Sequence, residues 1–410
     1  MGKLVYQLFL LLYPLAVKLA SLFNKKARLW IDGRNAAMST LLNKGIDIQR
    51  PVWFHCASLG EFEQARPVIE SIKKQHPDVN ILLTFFSPSG YEVQKDYGYA
   101  DHVMYLPWDS SSNARLFLDI VKPRLVVFVK YEYWYHFLHE THQQGIPLVL
   151  ISGIFRKSQV FFKAYGSFYR EMLSFFTKFF VQDQDSATLL SSLGFQNHIV
   201  TGDTRFDRVN EIAKSSVPIP VVEDFCANSK VIVAGSTWLE DDKELAHFAN
   251  NRTEVKFIVA PHDISNYRIK ECLELYRGAT LFSELGAAPK SNILIIDNIG
   301  MLSRLYAFAT VCLIGGGFAG DGVHNVLEAA VYGKPIVHGP VFEKFVEARQ
   351  LNEAGGSFVV ENAVELEVVV DNLLKGDHNY TRASVAAANY VKSNTGATGK
   401  TMKEIKAFLY

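Results

Sequence analysis

The run from Gly315 to Pro340, GGGFAGDGVHNVLEAAVYGKPIVHGP, gathers the groups by which a protein holds a phosphate. The preceding TVCLI is short, apolar and β-branched, as a buried parallel strand should be, and Gly315, Gly316 and Gly317 let backbone N–H groups come close to a ligand. The stretch from His324 to Val331 is predicted as a helix whose unpaired N-terminal N–H groups favour an anion. Gly315, Gly317 and Gly320 also satisfy G-x-G-x-x-G, the dinucleotide fingerprint. In that fold the helix opens within the glycine run and the motif follows the first strand of its domain. Here Asp321, Gly322 and Val323 intervene and several strand-like runs come earlier, so a nucleotide-sugar phosphate is the preferred ligand and a purely structural turn the plain alternative.

A second set of polar residues follows the apolar runs of the N-terminal half. In HCASLGEFEQARP, Ser58, Leu59 and Gly60 make a tight turn and Glu61 opens a helix. A carboxylate there is placed to take a proton from an attacking hydroxyl, a role worth roughly 10²- to 10⁴-fold in rate. Glu61 and Glu63 equally suit a helix dipole, and position alone leaves both readings open. In TFFSPSGYE, Ser87, Ser89 and Gly90 offer hydroxyls and N–H groups to an anion, or form an ordinary turn around Pro88. KYEYWYH brings Lys130 and Glu132 beside aromatics, and GDTRFDRV supplies Arg205 and Arg208, either of which could clamp a phosphate or carboxylate. Asp183 and Asp185 form a D-x-D, which reads more simply as a helix start capped by Asp185. No H-x-x-H, C-x-x-C or EF-hand spacing appears, so no metal site is indicated.

These segments need scaffolds, and 410 residues suit two domains. Lys plus Arg and Asp plus Glu are equal at 42 each, which removes a global electrostatic case for nucleic acid. The four cysteines are far apart and suggest neither a disulfide framework nor a zinc ribbon. From Leu4 to Phe23 the chain is almost wholly apolar and is followed by Lys25, Lys26 and Arg28, the pattern of a membrane anchor, as a span or in the membrane plane, with the basic flank cytoplasmic; a buried N-terminal helix is the plain alternative. The Phe- and Tyr-rich run from Ile154, with Arg156, Lys157, Lys163 and Arg170, suits either core packing or anionic lipid.

Beyond the anchor, strand candidates begin at Val52, Asn80, His102, Arg124, Pro147, Lys178 and His198, and a second series at Lys230, Val255, Asn292, Thr310, Lys334 and Ser357. Helical or loop segments separate them, the signature of parallel sheets with crossovers. The expected organisation is an anchor over 1–28, an α/β domain over 29–214, a linker at 215–224, where SSVPIPVVED carries two prolines, and a second α/β domain over 225–395. A helix over 396–410 is expected to pack back on the first domain. The fold class is α/β, two doubly wound Rossmann-like domains facing a cleft, with ligand groups on the loops after strands.

Taken in order, NKKARLWIDGR, HCASLGE, TFFSPSGYE, KYEYWYH, TGDTRFD, AGST and GDGVHNVLEAAVYGKPIVHGP resemble the bacterial 3-deoxy-D-manno-octulosonic acid (Kdo) transferases of lipopolysaccharide synthesis over nearly the whole chain. The resemblance implies a GT-B glycosyltransferase at the cytoplasmic face of the inner membrane, moving Kdo from CMP-Kdo to a lipid A precursor with inversion and without metal or other cofactor. It assigns the base to Glu61 and donor contacts to Ser236, Thr237, the glycine loop, Asn325 and Glu328. Lys130 stands where a glutamate is common, Tyr135 and His136 replace a Pro-Asn pair, Asp203 and Arg205 replace Asn and Lys, and Pro261-His262-Asp263 replaces Pro-Arg-His. His262 and Arg205 are therefore the candidates for the donor clamp.

Overall fold

The computed structural model describes residues 2–43, 48–215, 217–286, 291–320 and 322–409. Two positions of the motifs above, Ser216 and Asp321, lie outside the described residues. The chain divides into two compact units, one of residues 1–208 with 396–410 and one of residues 209–395.

In the first unit the apolar runs become β1 (Val52–Cys56), β2 (Ile81–Phe85), β3 (His102–Tyr105), β4 (Leu125–Val129), β5 (Leu148–Gly153), β6 (Lys178–Val181) and β7 (His198–Val200). They form one sheet in the order β3-β2-β1-β4-β5-β6-β7. Every pairing is parallel, with Val52 opposite Ile81 on one side and Leu125 on the other. A parallel sheet is covered on both faces, which is why these strands read as unbroken apolar runs. Trp53, Phe128 and Leu150 join one buried layer, while Phe54, Val127 and Ile151 join the other. The second layer includes Phe62, Val68 and Ile72 of the helix Leu59–Gln75 and also Met402, Ile405 and Leu409 from the C-terminal segment. Asp207 fixes that segment by accepting the Gly396 and Thr398 N–H groups at 2.5 and 2.6 Å.

The second unit holds β8 (Lys230–Thr237), β9 (Val255–Pro261), β10 (Thr280–Leu281), β11 (Ile293–Ile295), β12 (Val311–Ile314), β13 (Ile336–His338) and β14 (Ser357–Val359), again all parallel, in the order β10-β11-β9-β8-β12-β13-β14. Only the two-residue β10 has no counterpart among the strands expected from sequence. The proline-bearing stretch differs from an open linker: the helix Pro220–Cys226 starts inside it, and the boundary between the units falls earlier, within the helix Thr204–Lys214. Proline is tolerated at a helix start because the first N–H groups have no intrahelical partner.

The N-terminal run forms α1 (Gly2–Ala20), and α2 (Lys25–Asn43) follows it. Among the described helices α1 alone is long and apolar enough to cross a membrane. It nevertheless lies along the first unit. Tyr6 and Leu10 are buried, the Tyr6 hydroxyl donates to Asp109 at 2.6 Å, Trp108 Nε1–H donates to the Leu10 carbonyl at 2.9 Å, and Tyr13 stacks on Trp108. The other face exposes a row of leucines, Leu4, Leu8, Leu11, Leu15 and Leu19, each more than half accessible. The aromatic run from Ile154 is mostly core: Phe155, Phe161, Phe168, Phe175, Phe176 and Phe179 are all buried.

Candidate functional site

An open parallel sheet leaves a crevice where successive connections depart in opposite directions, at the carboxyl ends of the strands flanking the reversal. In the first unit those strands are β1 and β4. After β1 come Ser58 and then Gly60 and Glu61 in the first turn of a helix, and the loop after β4 carries Lys130 and Glu132. Ser58 is extended and precedes the helix Leu59–Gln75, yet its side chain makes no cap to the helix backbone. Its hydroxyl donates instead to Glu61 Oε2. A reciprocal capping box would tie both side chains to backbone N–H groups. Here one carboxylate oxygen is held by a side chain and the helix turn supplies a favourable field for the negative charge. Glu63 points into a different setting, pairing with Arg66 at 3.6 Å and Arg208 at 3.7 Å. Arg208 also reaches Glu70 at 3.5 Å, so it serves this ion-pair cluster.

Glu132 is fixed by residues that spacing alone did not single out. His55 is wholly buried on β1, with Nδ1 2.9 Å from Thr84 Oγ1 and Nε2 3.1 Å from Glu132 Oε2. A carboxylate oxygen only accepts, so Nε2 carries the proton and donates to Glu132. Trp134 Nε1–H donates to the same oxygen. The neighbouring Tyr131 phenol is pushed up, first by burial, and also lies within the fields of Arg156, Glu61, Arg205 and Asp183. Residues that follow β1, β5, β6 and β7 thus act on the Tyr131 phenol, which itself follows β4. Lys130 adopts a left-handed backbone, φ 61°, with its ammonium 5.0 Å from the centre of the Tyr131 ring.

Other expected residues take defined places. Ser87 Oγ and Ser89 Oγ are 2.6 Å apart, beyond β2. Gly90 is buried, and a Cβ there would come within 2.2 Å of the Phe85 ring, so packing accounts for this glycine. Arg205 donates from Nε and Nη2 to the single oxygen Oδ2 of Asp203, at 2.9 and 2.7 Å. Asp183, rather than Asp185, caps its helix, accepting the Ser186 N–H at 2.7 Å, because the helix begins at Gln184, ahead of the start that a cap at Asp185 would give. Among the described residues no cluster of three or more His, Cys, Asp or Glu side chains is placed to hold a metal ion.

Arg34 was not singled out as a functional residue. It is 5% exposed, stacked 3.7 Å from the Trp30 ring, and donates to the Phe86 carbonyl at 2.8 Å. Burial pushes its guanidinium down to about 9. The contact fixes the chain where it leaves β2. The nearest signal was its place at the end of NKKARLWIDGR.

In the second unit the reversal lies between β8 and β12. The carboxyl end of β8 carries Ser236 and Thr237, and the loop after β12 carries Gly315, Gly316 and Gly317. The geometry corrects two expectations. First, the glycines are required by backbone packing: a Cβ on Gly315 would meet Ser236 O at 2.3 Å, one on Gly316 would meet Gly322 O at 2.3 Å, and one on Gly317 would meet Gly339 N at 2.5 Å. Gly316 N–H is spent on Asp241, which also accepts from Trp238 at 2.8 Å and Phe318 at 3.3 Å. Second, the helix spans only Leu327–Ala330, and His324 and Asn325 precede it. Asn325 Oδ1 accepts the Leu327 N–H at 3.2 Å while its amide donates to Glu328 at 3.0 Å, so the pair is mutually oriented.

Ser236 is held at φ 56°, a left-handed geometry costly for a residue with a Cβ, and Thr237 is fully buried. His262, at the end of β9, stacks on His324 with ring centres 4.5 Å apart, and Trp238 Nε1–H donates to His324 Nε2 at 3.0 Å. Indole N–H only donates, so His324 Nε2 is an acceptor and the neutral ring carries its proton on Nδ1. Burial pushes His262 down, which favours the neutral ring.

Comparison with known proteins meets this geometry at the first unit. Residues 27–208 match the family described as 3-deoxy-D-manno-octulosonic-acid transferase (kdotransferase). The 3-deoxy-D-manno-octulosonic acid transferase of Aquifex aeolicus is 26% identical over 332 residues, 79% of this chain and 86% of that protein. That of Haemophilus influenzae is 25% identical over 379 residues, 87% of each. Among solved structures, UDP-GlcNAc 2-epimerase from Neisseria meningitidis bound to UDP-GlcNAc aligns with a TM-score of 0.62 at 16% identity, covering 87% of this chain and all of that one. That likeness establishes the fold, two doubly wound α/β units in one chain, which is the GT-B class. The family's model thus matches the first unit, and the chain is similar to 3-deoxy-D-manno-octulosonic acid transferases over most of its length.

Proposed function

We propose that the protein is an inverting glycosyltransferase that moves Kdo from CMP-Kdo to a lipid A precursor. The observation that carries this is the Ser58-held Glu61 carboxylate at the β1–β4 reversal of a unit matching the Kdo transferase family. Glu61 takes the proton of the acceptor hydroxyl as its oxygen bonds to the anomeric carbon of Kdo. The bond from that carbon to the phosphate oxygen breaks, and CMP leaves with the bonding pair. Glu132, held by His55 and Trp134, Ser87 and Ser89 beyond β2, and Lys130 and Arg205 are the groups offered to the acceptor or to phosphate. On the second unit Ser236, His262, His324, Asn325 and Glu328 are the donor contacts, with Gly315 to Gly317 and Thr237 shaping the backbone beneath them.

The leaving group carries a single phosphate, whose charge polar side chains and imidazoles can meet, so the reaction needs no metal. The exposed leucine row of α1, with Lys25, Lys26 and Arg28 close behind, supports attachment in the plane of the inner membrane from its cytoplasmic side. Differential scanning fluorimetry tests the donor assignment: CMP should raise the melting temperature, and UDP and NAD should not. Protection by UDP alone would replace the donor with a UDP-sugar.

A further inference from the structure

Helix α1 also closes one side of a cavity in the first unit. The cavity measures about 820 Å³, within the ~300–1,000 Å³ in which proteins enclose small ligands. Val5, Tyr6 and Phe9 of α1 form one wall, and Tyr133, Phe161 and Tyr169 face them. The charged lining comes from Glu132 and Arg156, on the loops that follow β4 and β5. We propose that this cavity takes an acyl chain of the lipid acceptor, a step that rests on the acceptor reading above.

Three observations single out an acyl chain. Aromatic and aliphatic side chains make most of the wall, which suits a hydrocarbon, while Glu132, Arg156, Ser158 and Gln159 add polar groups. The helix that forms one wall exposes leucines on its opposite face and is followed by Lys25, Lys26 and Arg28, a complement to anionic lipid. The cavity therefore adjoins the helix whose other face is suited to lipid. Finally, Glu132 belongs to both places: it lines the cavity and sits one residue from Tyr131, whose phenol lies in the fields of Glu61 and Arg205. A lipid with its tail among Tyr6, Phe9 and Phe161 would present its head group towards the loops that carry the proposed base.

The test fills the cavity from two independent elements, with Val5→Trp on α1 and Val160→Trp on the short turn Val160–Phe162, in the full-length protein. The readouts are the affinity for a dansyl-labelled fatty acid below its micelle concentration, and the ratio of kcat/KM for an acylated over a fully deacylated lipid A precursor with CMP-Kdo. Each buried methylene contributes roughly fourfold in affinity. Filling should weaken probe binding at least tenfold and lower the ratio at least tenfold, with melting temperature retained. Unchanged probe affinity in both filled variants, or equal losses on the two acceptors, would overturn the proposal. Probe binding that is lost on filling, in a protein that transfers no Kdo to either acceptor, would uphold the acyl cavity and sink the transferase reading. Kdo transfer with no probe binding would do the reverse.

Discussion

Glu61→Gln separates a base from a helix-dipole residue. The amide oxygen of glutamine can still accept the Ser58 hydroxyl proton, so the turn keeps its geometry, and exchanging a charge-assisted hydrogen bond for a neutral one costs about 1 kcal/mol of stability. What is lost is the free carboxylate oxygen able to hold a proton. General bases contribute roughly 10²- to 10⁴-fold, or about 2.7–5.4 kcal/mol of barrier at 1.36 kcal/mol per decade. The expected result is a kcat at least about 100-fold below wild type, with the KM for CMP-Kdo little changed, because the missing interaction belongs to the transition state. Glu63→Gln is the internal control. Its partners Arg66 and Arg208 both keep Glu70, at 2.7 and 3.5 Å. With a third of its side chain exposed, Glu63 contributes at most about 1 kcal/mol of stability and no rate effect. Initial rates by product mass, on variants shown to be folded, read both. A Glu61→Gln enzyme within about threefold of wild type would remove Glu61 from the chemistry and return it to the helix dipole.

Four further outcomes are expected. Gly315→Ala should lower the melting temperature and abolish CMP protection, since its Cβ would meet Ser236 O at 2.3 Å, whereas Gly320→Ala, with no atom within 4 Å, should be tolerated in both measurements. Burial pushes His102, His136, His262 and His338 down, so the unfolded chain takes up protons first as pH falls below about 6.5. Stability from these groups is therefore present above that pH and lost as pH falls through the lower folded values, and His338→Asn should flatten the dependence of melting temperature between pH 7 and 5.5. Replacing Leu8, Leu11 and Leu15 of the exposed α1 face with Glu should release the protein from vesicles containing anionic lipid without unfolding it, as each side chain is more than half accessible. Saturating EDTA should leave the transfer rate within about twofold of the untreated enzyme, and loss restored by magnesium would revive a metal role.

The sheets were legible in the sequence because strands covered on both faces need apolar residues at every position, and VWFHC, LVVFV and VCLI carry that directly. The place of Glu61 in the first turn of a helix was legible for a local reason too, since Ser58 and Glu61 lie within one turn. The phosphate loop misled because its partner is distant: Asp241, which takes the Gly316 N–H, lies 75 residues away, and no spacing rule links them. The composition of α1 is the same for a helix that spans a bilayer and for one that lies on a domain. The contact that separates them, Tyr6 with Asp109, joins residues 103 apart. The buried Arg34 and His55 escaped notice because their roles arise from aromatic and hydroxyl partners on other elements, which only the folded chain assembles.

Kdo transfer is tested most directly by the mass of the product formed by purified full-length protein, CMP-Kdo and a lipid A precursor. The acceptor should become heavier by whole Kdo residues, with CMP released in equal number. An unchanged acceptor, from protein whose melting temperature CMP does not raise, would contradict it.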